Sequence, residues 1–219
     1  MNIFTMIYEY RSYFLTGIQY TLLLAVIGVI FGFMLGIVIS LMRMSRFWLL
    51  RFLGTIWVEC IRGTPMLVQL FIIHYGLVSF GIKFTPVESG AVTLIINSSA
   101  YLAEIFRAGI QGVDRGQAEA ARSLGMGSGM TMRHIILPQA LKSVLPAIGN
   151  EFITVIKESS IVSIIGVADL MYGAQKVSGI TYDFLTPLLI IALIYLIITF
   201  SLSKLLGLYE RRLNASDNR

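Results

Sequence analysis

Residues 12–42 read SYFLTGIQYTLLLAVIGVIFGFMLGIVISLM, with no charged side chain between Arg11 and Arg43. As a helix this run is roughly 46 Å long at ~1.5 Å per residue. A bilayer core needs about 20 apolar residues. The run therefore spans a membrane once, with tilt or with a tail at the interface. It is too long for a signal-peptide core and has no clear cleavage site, so it is expected to be retained. Gly28, Gly32 and Gly36 recur every fourth residue and share one face, a spacing that lets a second helix approach closely in lipid.

The rest of the 219-residue chain carries the same signature. Hydrophobic residues make up 56% and charged residues only 13%, and mean hydropathy is +0.79. A soluble domain carries about 25% charged residues, so lipid is the solvent for the excess apolar surface. The net charge is +5, but the basic residues stand between apolar runs rather than in a patch, which excludes nucleic-acid binding. The lone Cys60 permits no intrachain disulfide, has no metal-ligand spacing around it, and reads as a small packed helix residue.

Further runs follow outward from the first. The expectation is an all-α polytopic membrane protein, one domain over 1–219, with five spans at about 13–42, 55–80, 88–110, 138–165 and 187–208. Pro65 sits where it would kink or loosen the second span. Pro187 suits the first position of the last. Residues 169–183 read as a polar loop. Arg43, Arg46, Arg51, Arg107, Arg115, Arg122, Arg133, Arg211, Arg212 and Arg219 lie on one side of this arrangement, against Arg11, Lys83 and Lys176 on the other. The richer side is expected in the cytoplasm, which leaves the N-terminus outside and the C-terminus within.

The loop over about 112–134 then faces the cytosol. Asp114 is a plausible N-cap, Gln117 three residues on suits a capping box, and Gly125 suits the stop. Ala118 and Ala121 share a face on which small side chains let another protein come close. Glu119 and Arg122 form an i, i+3 pair able to dock by charge.

Glu119-Ala120-Ala121, Gly125 four residues later, and Ile136-Leu137-Pro138 beyond it resemble the EAA loop of ATP-binding-cassette importer permeases. Ile61-Arg-Gly-Thr-Pro65, Ile96-Asn-Ser-Ser-Ala-Tyr101, Glu104-Ile-Phe-Arg-Ala-Gly109, Leu145-Pro-Ala-Ile-Gly-Asn-Glu151 and Lys157-Glu-Ser-Ser160 are similar to its polar amino-acid branch, the histidine/arginine/glutamine type. The resemblance covers nearly the whole chain. It implies a type I importer permease fold in a bacterial inner membrane. It also implies two ATPase subunits, a second permease subunit (a homodimer is favoured), and an extracytoplasmic substrate-binding protein. Asp114, Glu119, Ala120, Ala121, Arg122 and Gly125 would couple to the ATPase. The chain has no G-x-x-x-x-G-K-[ST] loop, so no cofactor is expected here, and ATP with magnesium would sit on the ATPase subunits.

Glu151, Lys157 and Glu158 fall within the fourth span, where a mid-bilayer charge costs at least ~2.5 kcal/mol. Such residues face a polar path, another charge or a subunit seam. An amino acid is a zwitterion and wants an acceptor and a donor. Glu151 would accept from its ammonium or from a cationic side chain, and Lys157 would meet its carboxylate. Asn97 and Ser98 of the third span would complete the polar lining. Glu158 shares a helical stripe with Glu151. Pro146 and Gly149 would loosen the helix and free backbone groups. The alternative for these charges is an interhelical ion network at the subunit seam. Gln69 and His74 could line the path, but read first as hydrogen-bonded packing residues. The expected function is import of a polar amino acid, with cationic ones favoured by the acids. The alternatives are another small polar solute such as cystine or an opine, or a transporter or channel subunit not driven by ATP.

Overall fold

The computed structural model describes residues 2–215, and Arg219, counted above with the basic C-terminal residues, lies outside them. Among the described residues every regular element is a helix. In chain order these are α1 (Ile3–Glu9), α2 (Arg11–Arg43), α3 (Trp48–Arg62), α4 (Met66–Phe71), α5 (Pro86–Gln111), α6 (Arg115–Ser123), α7 (Ser128–Thr131), α8 (Leu137–Glu158), α9 (Leu170–Thr181) and α10 (Leu185–Ala215). π-turns at Ile72–Gly76 and Met132–Ile136 and 3₁₀ turns at Leu77–Phe80 and Ser159–Ile165 join some of them.

The centre of the fold is the α2–α5 pair. A Cβ added to Gly28 would lie 2.9 Å from Leu94 Cβ, one at Gly32 2.8 Å from Ser98 Cβ, and one at Gly36 3.0 Å from Leu102 Cβ. The glycine stripe is thus a helix-packing seam. Partner numbers rise together, so the two helices run parallel. On the other side of α5 the numbers run in opposition. Gly109 meets Val144, Ser98 meets Glu151, and Gly90 meets Val162. The stretch from Val144 to Val162 therefore accompanies α5 antiparallel over roughly 28 Å, at ~1.5 Å per residue.

α2, α5 and α10 are long and apolar enough to cross a membrane by themselves, and α3 with 66–80 makes a fourth candidate if that bent pair counts as one span. α8 does not qualify on composition because Lys142, Glu151, Lys157 and Glu158 interrupt it. The second segment differs from a continuous 55–80 helix. It starts at Trp48, breaks at 63–65 and turns by 104°. The cause is Pro65, which has no N–H to give and holds an extended ψ of 135°, and which biases Thr64 away from helix. Gly81 ends the segment at φ 81°.

Other expectations change as well. Pro146 leaves α8 continuous, its missing N–H removing one bond of the ladder without breaking the helix; α8 ends at Glu158 and tightens to 3₁₀ before Gly166. Residues 169–183 hold the helix α9, because Leu170, Ala174 and Val177 recur on one face and bury against α2 and α10. α10 starts two residues before Pro187, at Leu185, where Asp183 accepts from the N–H groups of Leu185 and Thr186. The Thr186 hydroxyl first, and then these N–H groups, hold the Asp183 carboxyl below its ordinary range. Cys60 is exposed rather than packed.

Candidate functional site: a polar belt and a cytoplasmic helix

α5 brings two neighbouring polar residues to one level, and they point to different helices. Ser98 is fully buried beneath Gly32 and donates to Glu151 Oε1 on α8 at 3.4 Å. Asn97 turns to α4 and donates from Nδ2 to Gln69 Oε1 at 3.3 Å. Asn97 and Glu151 are only 6% and 8% exposed. Ser98 lies about midway between Gly90 and Gly109, the two ends of the α5–α8 contact. These four side chains form a polar belt around α5.

Gln69 extends the belt to the Pro65 break. Its Nε2 donates to Ile61 O at 2.8 Å, Thr64 O at 3.1 Å and Thr64 Oγ1 at 3.0 Å. Those carbonyls are the orphans left where α3 stops. These bonds agree with the reading of Gln69 as a hydrogen-bonded packing residue; what the sequence reading did not supply is the break it packs against. The signal that could have linked the two is the position of Gln69 four residues after Pro65, one turn beyond a predicted kink. His74, also read as a packing residue, shares a 2.8 Å hydrogen bond with Ser89 Oγ. Arg62, in the last turn of α3, stacks its guanidinium over the Tyr101 ring at 5.3 Å, one turn along α5 from Asn97.

Not every expected site residue joins. Lys157 is exposed on a different face of α8 from Glu151, and no ion pair links them among the described residues. Glu158 is half-buried, on the stripe of Glu151 two turns away, with Lys157 as its neighbouring positive charge. The ion network that does form is elsewhere: Arg43 of α2 and Arg107 both pair with Glu104 on α5, tying the α2–α5 seam near its charged end.

The 112–134 segment holds α6. Asp114 caps it, accepting from Gly116 N–H at 2.8 Å. The expected capping box is absent, and the Gln117 side chain instead accepts from Gln139 at 3.4 Å. At the far end Gly125 adopts φ 80°, and Met126 N–H reaches back to Ala121 O at 3.0 Å, closing the helix as a left-handed cap. Ala121 is buried against the chain's own 128–136 segment, so the small-residue face serves internal packing first. Glu119 and Ala120 are exposed, and Arg122 donates to Ala118 O rather than to Glu119. Leu124 stands 84% exposed at the end of the helix, an apolar side chain the sequence reading did not single out.

Comparison with known proteins gives this arrangement its family. The model of the binding-protein-dependent transport system inner membrane component matches residues 28–215. The probable glutamine ABC transporter permease protein GlnM of Bacillus subtilis (strain 168) is 41% identical over 216 residues, 99% of this chain and 100% of that one. The arginine transport system permease protein ArtQ of the same organism is 40% identical over 94% of each chain. Among solved structures, a chain of an amino acid ABC transporter crystallised with histidines superposes with a TM-score of 0.94 at 48% identity, covering 97% of this chain and 99% of that chain. An inward-facing MetNI methionine ABC transporter chain shares the fold at a TM-score of 0.75 and 19% identity, covering 93% and 97%. The full-length match, running through the polar belt and α6 alike, makes this chain a member of the binding-protein-dependent transport system inner membrane component family.

Proposed function

We propose that this chain is the membrane permease subunit of an ATP-driven importer of polar amino acids, and that the belt around α5 is where the solute is handled. The observation that carries this reading is Glu151, a buried acid held by Ser98 at the middle of the α5–α8 contact. An acid at that depth is costly in lipid and marks a polar path. The names of the full-length relatives, glutamine and arginine permeases, support the same solute class.

In this reading the chain crosses five times. The parallel α2 and α5 require one return crossing between them, and the bent α3–α4 pair supplies it. The antiparallel 144–162 segment crosses beside α5 despite its charges, and α10 crosses last. The N-terminus then lies outside and α6 in the cytosol. Glu151 and Asn97 take the solute's ammonium and amide-directed contacts. Lys157 and Glu158 lie farther along α8 and meet the zwitterion at the outer part of the path. Two ATPase subunits, holding ATP and magnesium, dock on the α6 helices of two permease subunits, and a substrate-binding protein delivers solute from outside.

The test is uptake and ATP hydrolysis by the chain reconstituted in proteoliposomes with its ATPase and binding protein, across a panel of amino acids. The expected result is stimulation by one group of polar amino acids. Glu151→Gln is expected to lower kcat/KM about tenfold or more, equivalent to ~1.4 kcal/mol of lost interaction. Stimulation by no amino acid would overturn the function, and Glu151→Gln with unchanged apparent affinity would remove Glu151 from the site.

A further inference from the structure

A groove of about 410 Å³ runs between α2 and α3, lined by Leu35, Ile39 and Met42 on one side and Leu53, Trp57 and Ile61 on the other. No charged side chain lines it. It has room for roughly a dozen methylene-sized groups, each near the ~30 Å³ share of one water. Its two helices run antiparallel. They pinch together where Gly54 meets Met42 and Arg43, an added Cβ there lying 2.9 Å from Arg43 Cγ. From that pinch to the Leu35–Ile61 end is about seven residues, roughly 10 Å at ~1.5 Å each. That is some two-thirds of one leaflet's ~15 Å apolar depth.

The chemistry at the pinched end is basic. Arg46 lies in the α2–α3 connection and Arg51 in the first turn of α3, and both are exposed. Arg43 is committed to Glu104, but among the described residues neither Arg46 nor Arg51 has an ion-pair partner. Trp48 and Phe52 stack at the same level with ring centroids 6.4 Å apart, both exposed. Aromatic rings of this kind gather at the headgroup region. The apolar slot thus ends at the level of two exposed guanidiniums that have no ion-pair partner among the described residues. Arginine binds phosphate through a planar fork of donors.

We infer that this groove is a binding site for an anionic phospholipid, with one acyl chain lying between α2 and α3 and the headgroup phosphate held by Arg46 and Arg51. The inference does not depend on what the chain transports. Charge complementarity selects the anionic class, because each arginine near the surface favours an anionic lipid roughly fivefold over a zwitterionic one.

The chain has two tryptophans, Trp48 and Trp57, and Trp57 lines the groove. Full-length Trp48→Phe protein, reconstituted in vesicles, therefore reports on the groove through Trp57 fluorescence alone. The probe is a minor fraction of phosphatidylglycerol brominated in mid-chain, compared with brominated phosphatidylcholine at the same mole fraction. The expected result is quenching by the anionic lipid at severalfold lower mole fraction than by the zwitterionic one. Adding Arg46→Gln and Arg51→Gln is expected to erase that difference while quenching by phosphatidylcholine persists, which also shows that the variant has kept the groove. Equal quenching by both lipids, or a preference that survives the double substitution, overturns the inference. So does absence of quenching by either lipid, which would mean that another protein chain, such as a second copy, closes the groove.

Discussion

Asp169 illustrates how much one buried atom can weigh. Its Oδ1 caps α9 by accepting from Tyr172 N–H at 3.0 Å, while Oδ2 is buried with no hydrogen-bond partner. Burial pushes its carboxyl up to about 6, against smaller opposing contributions from the Tyr172 and Met171 N–H groups. The fold therefore favours the protonated acid. That contribution is complete below the ordinary carboxylate value near pH 4 and is lost as pH rises through about 6. Asp169→Asn keeps the cap acceptor and removes the charge. It is expected to be more stable than wild type at pH 7.5, by up to ~3 kcal/mol at ~1.4 kcal/mol per unit, and to lose most of that advantage at pH 4.5. Thermal unfolding in detergent at the two pH values measures this, and a variant less stable at both would refute it. At this scale the sequence was a good guide to which residues are polar inside apolar runs: Asn97, Ser98 and Glu151 were all legible as such. Their partners were less so. Gln69 owes its place to the break that Pro65 makes, and Lys157 turns to a different face because six residues of α-helix carry a side chain about 240° around the axis.

Helices came through the sequence unevenly. α2 and α10 were legible because long charge-free runs admit only one reading in lipid, and α5 because its charges Glu88, Glu104 and Arg107 stand towards its two ends. α9 was not, because its apolar residues are interleaved with Gly, Ser, Lys and Tyr and its burial depends on α2 and α10 arriving from far away in the chain. α6 was legible at both ends through Asp114 and Gly125, but which face it buries was not, since that is decided by 128–136 folding back on Ala121. The exposed side is then Glu119, Ala120 and Leu124. Leu124→Asp is expected to reduce ATPase co-purification severalfold without changing the helix content of the permease, because it alters only an outward apolar tip. Gly125→Val is expected to do so through the helix itself, since a β-branched residue at φ 80° costs on the order of 1–2 kcal/mol. Pull-down of the ATPase with circular dichroism of the isolated permease separates the two, and full co-purification with Leu124→Asp would exclude Leu124 from the docking surface.

For the molecule as a whole, the α2–α5 seam sets the tolerance to change. Gly32→Val would drive two methyls into Ser98 Cβ and the Ile95–Ser99 backbone, with an expected cost of about 1–3 kcal/mol or more. A lower unfolding temperature in detergent should accompany a disturbed Ser98–Glu151 contact, hence lower transport. An unchanged melting profile would mean the seam is looser than its geometry. The glycine spacing announced this seam in the sequence, but not that α5 was the partner, because nothing local distinguishes one neighbouring span from another. The same limit applies to the 104° turn, whose location was readable from Pro65 and whose size was not.

That seam also decides where the machine can flex. Two helices in backbone contact at three successive turns cannot slip by a residue, since any slip would bring side chains into the slots that glycine leaves empty. α2 and α5 are therefore a single fixed axle. The joints available to a transport stroke are those where helix continuity already lapses, foremost the Gln69-pinned elbow at 63–65, which hangs from that axle at the level of Asn97. A group drawing on the Asn97 amide would compete with Gln69 Oε1, the tie between elbow and axle, and would leave the bonds from Gln69 Nε2 within the elbow in place.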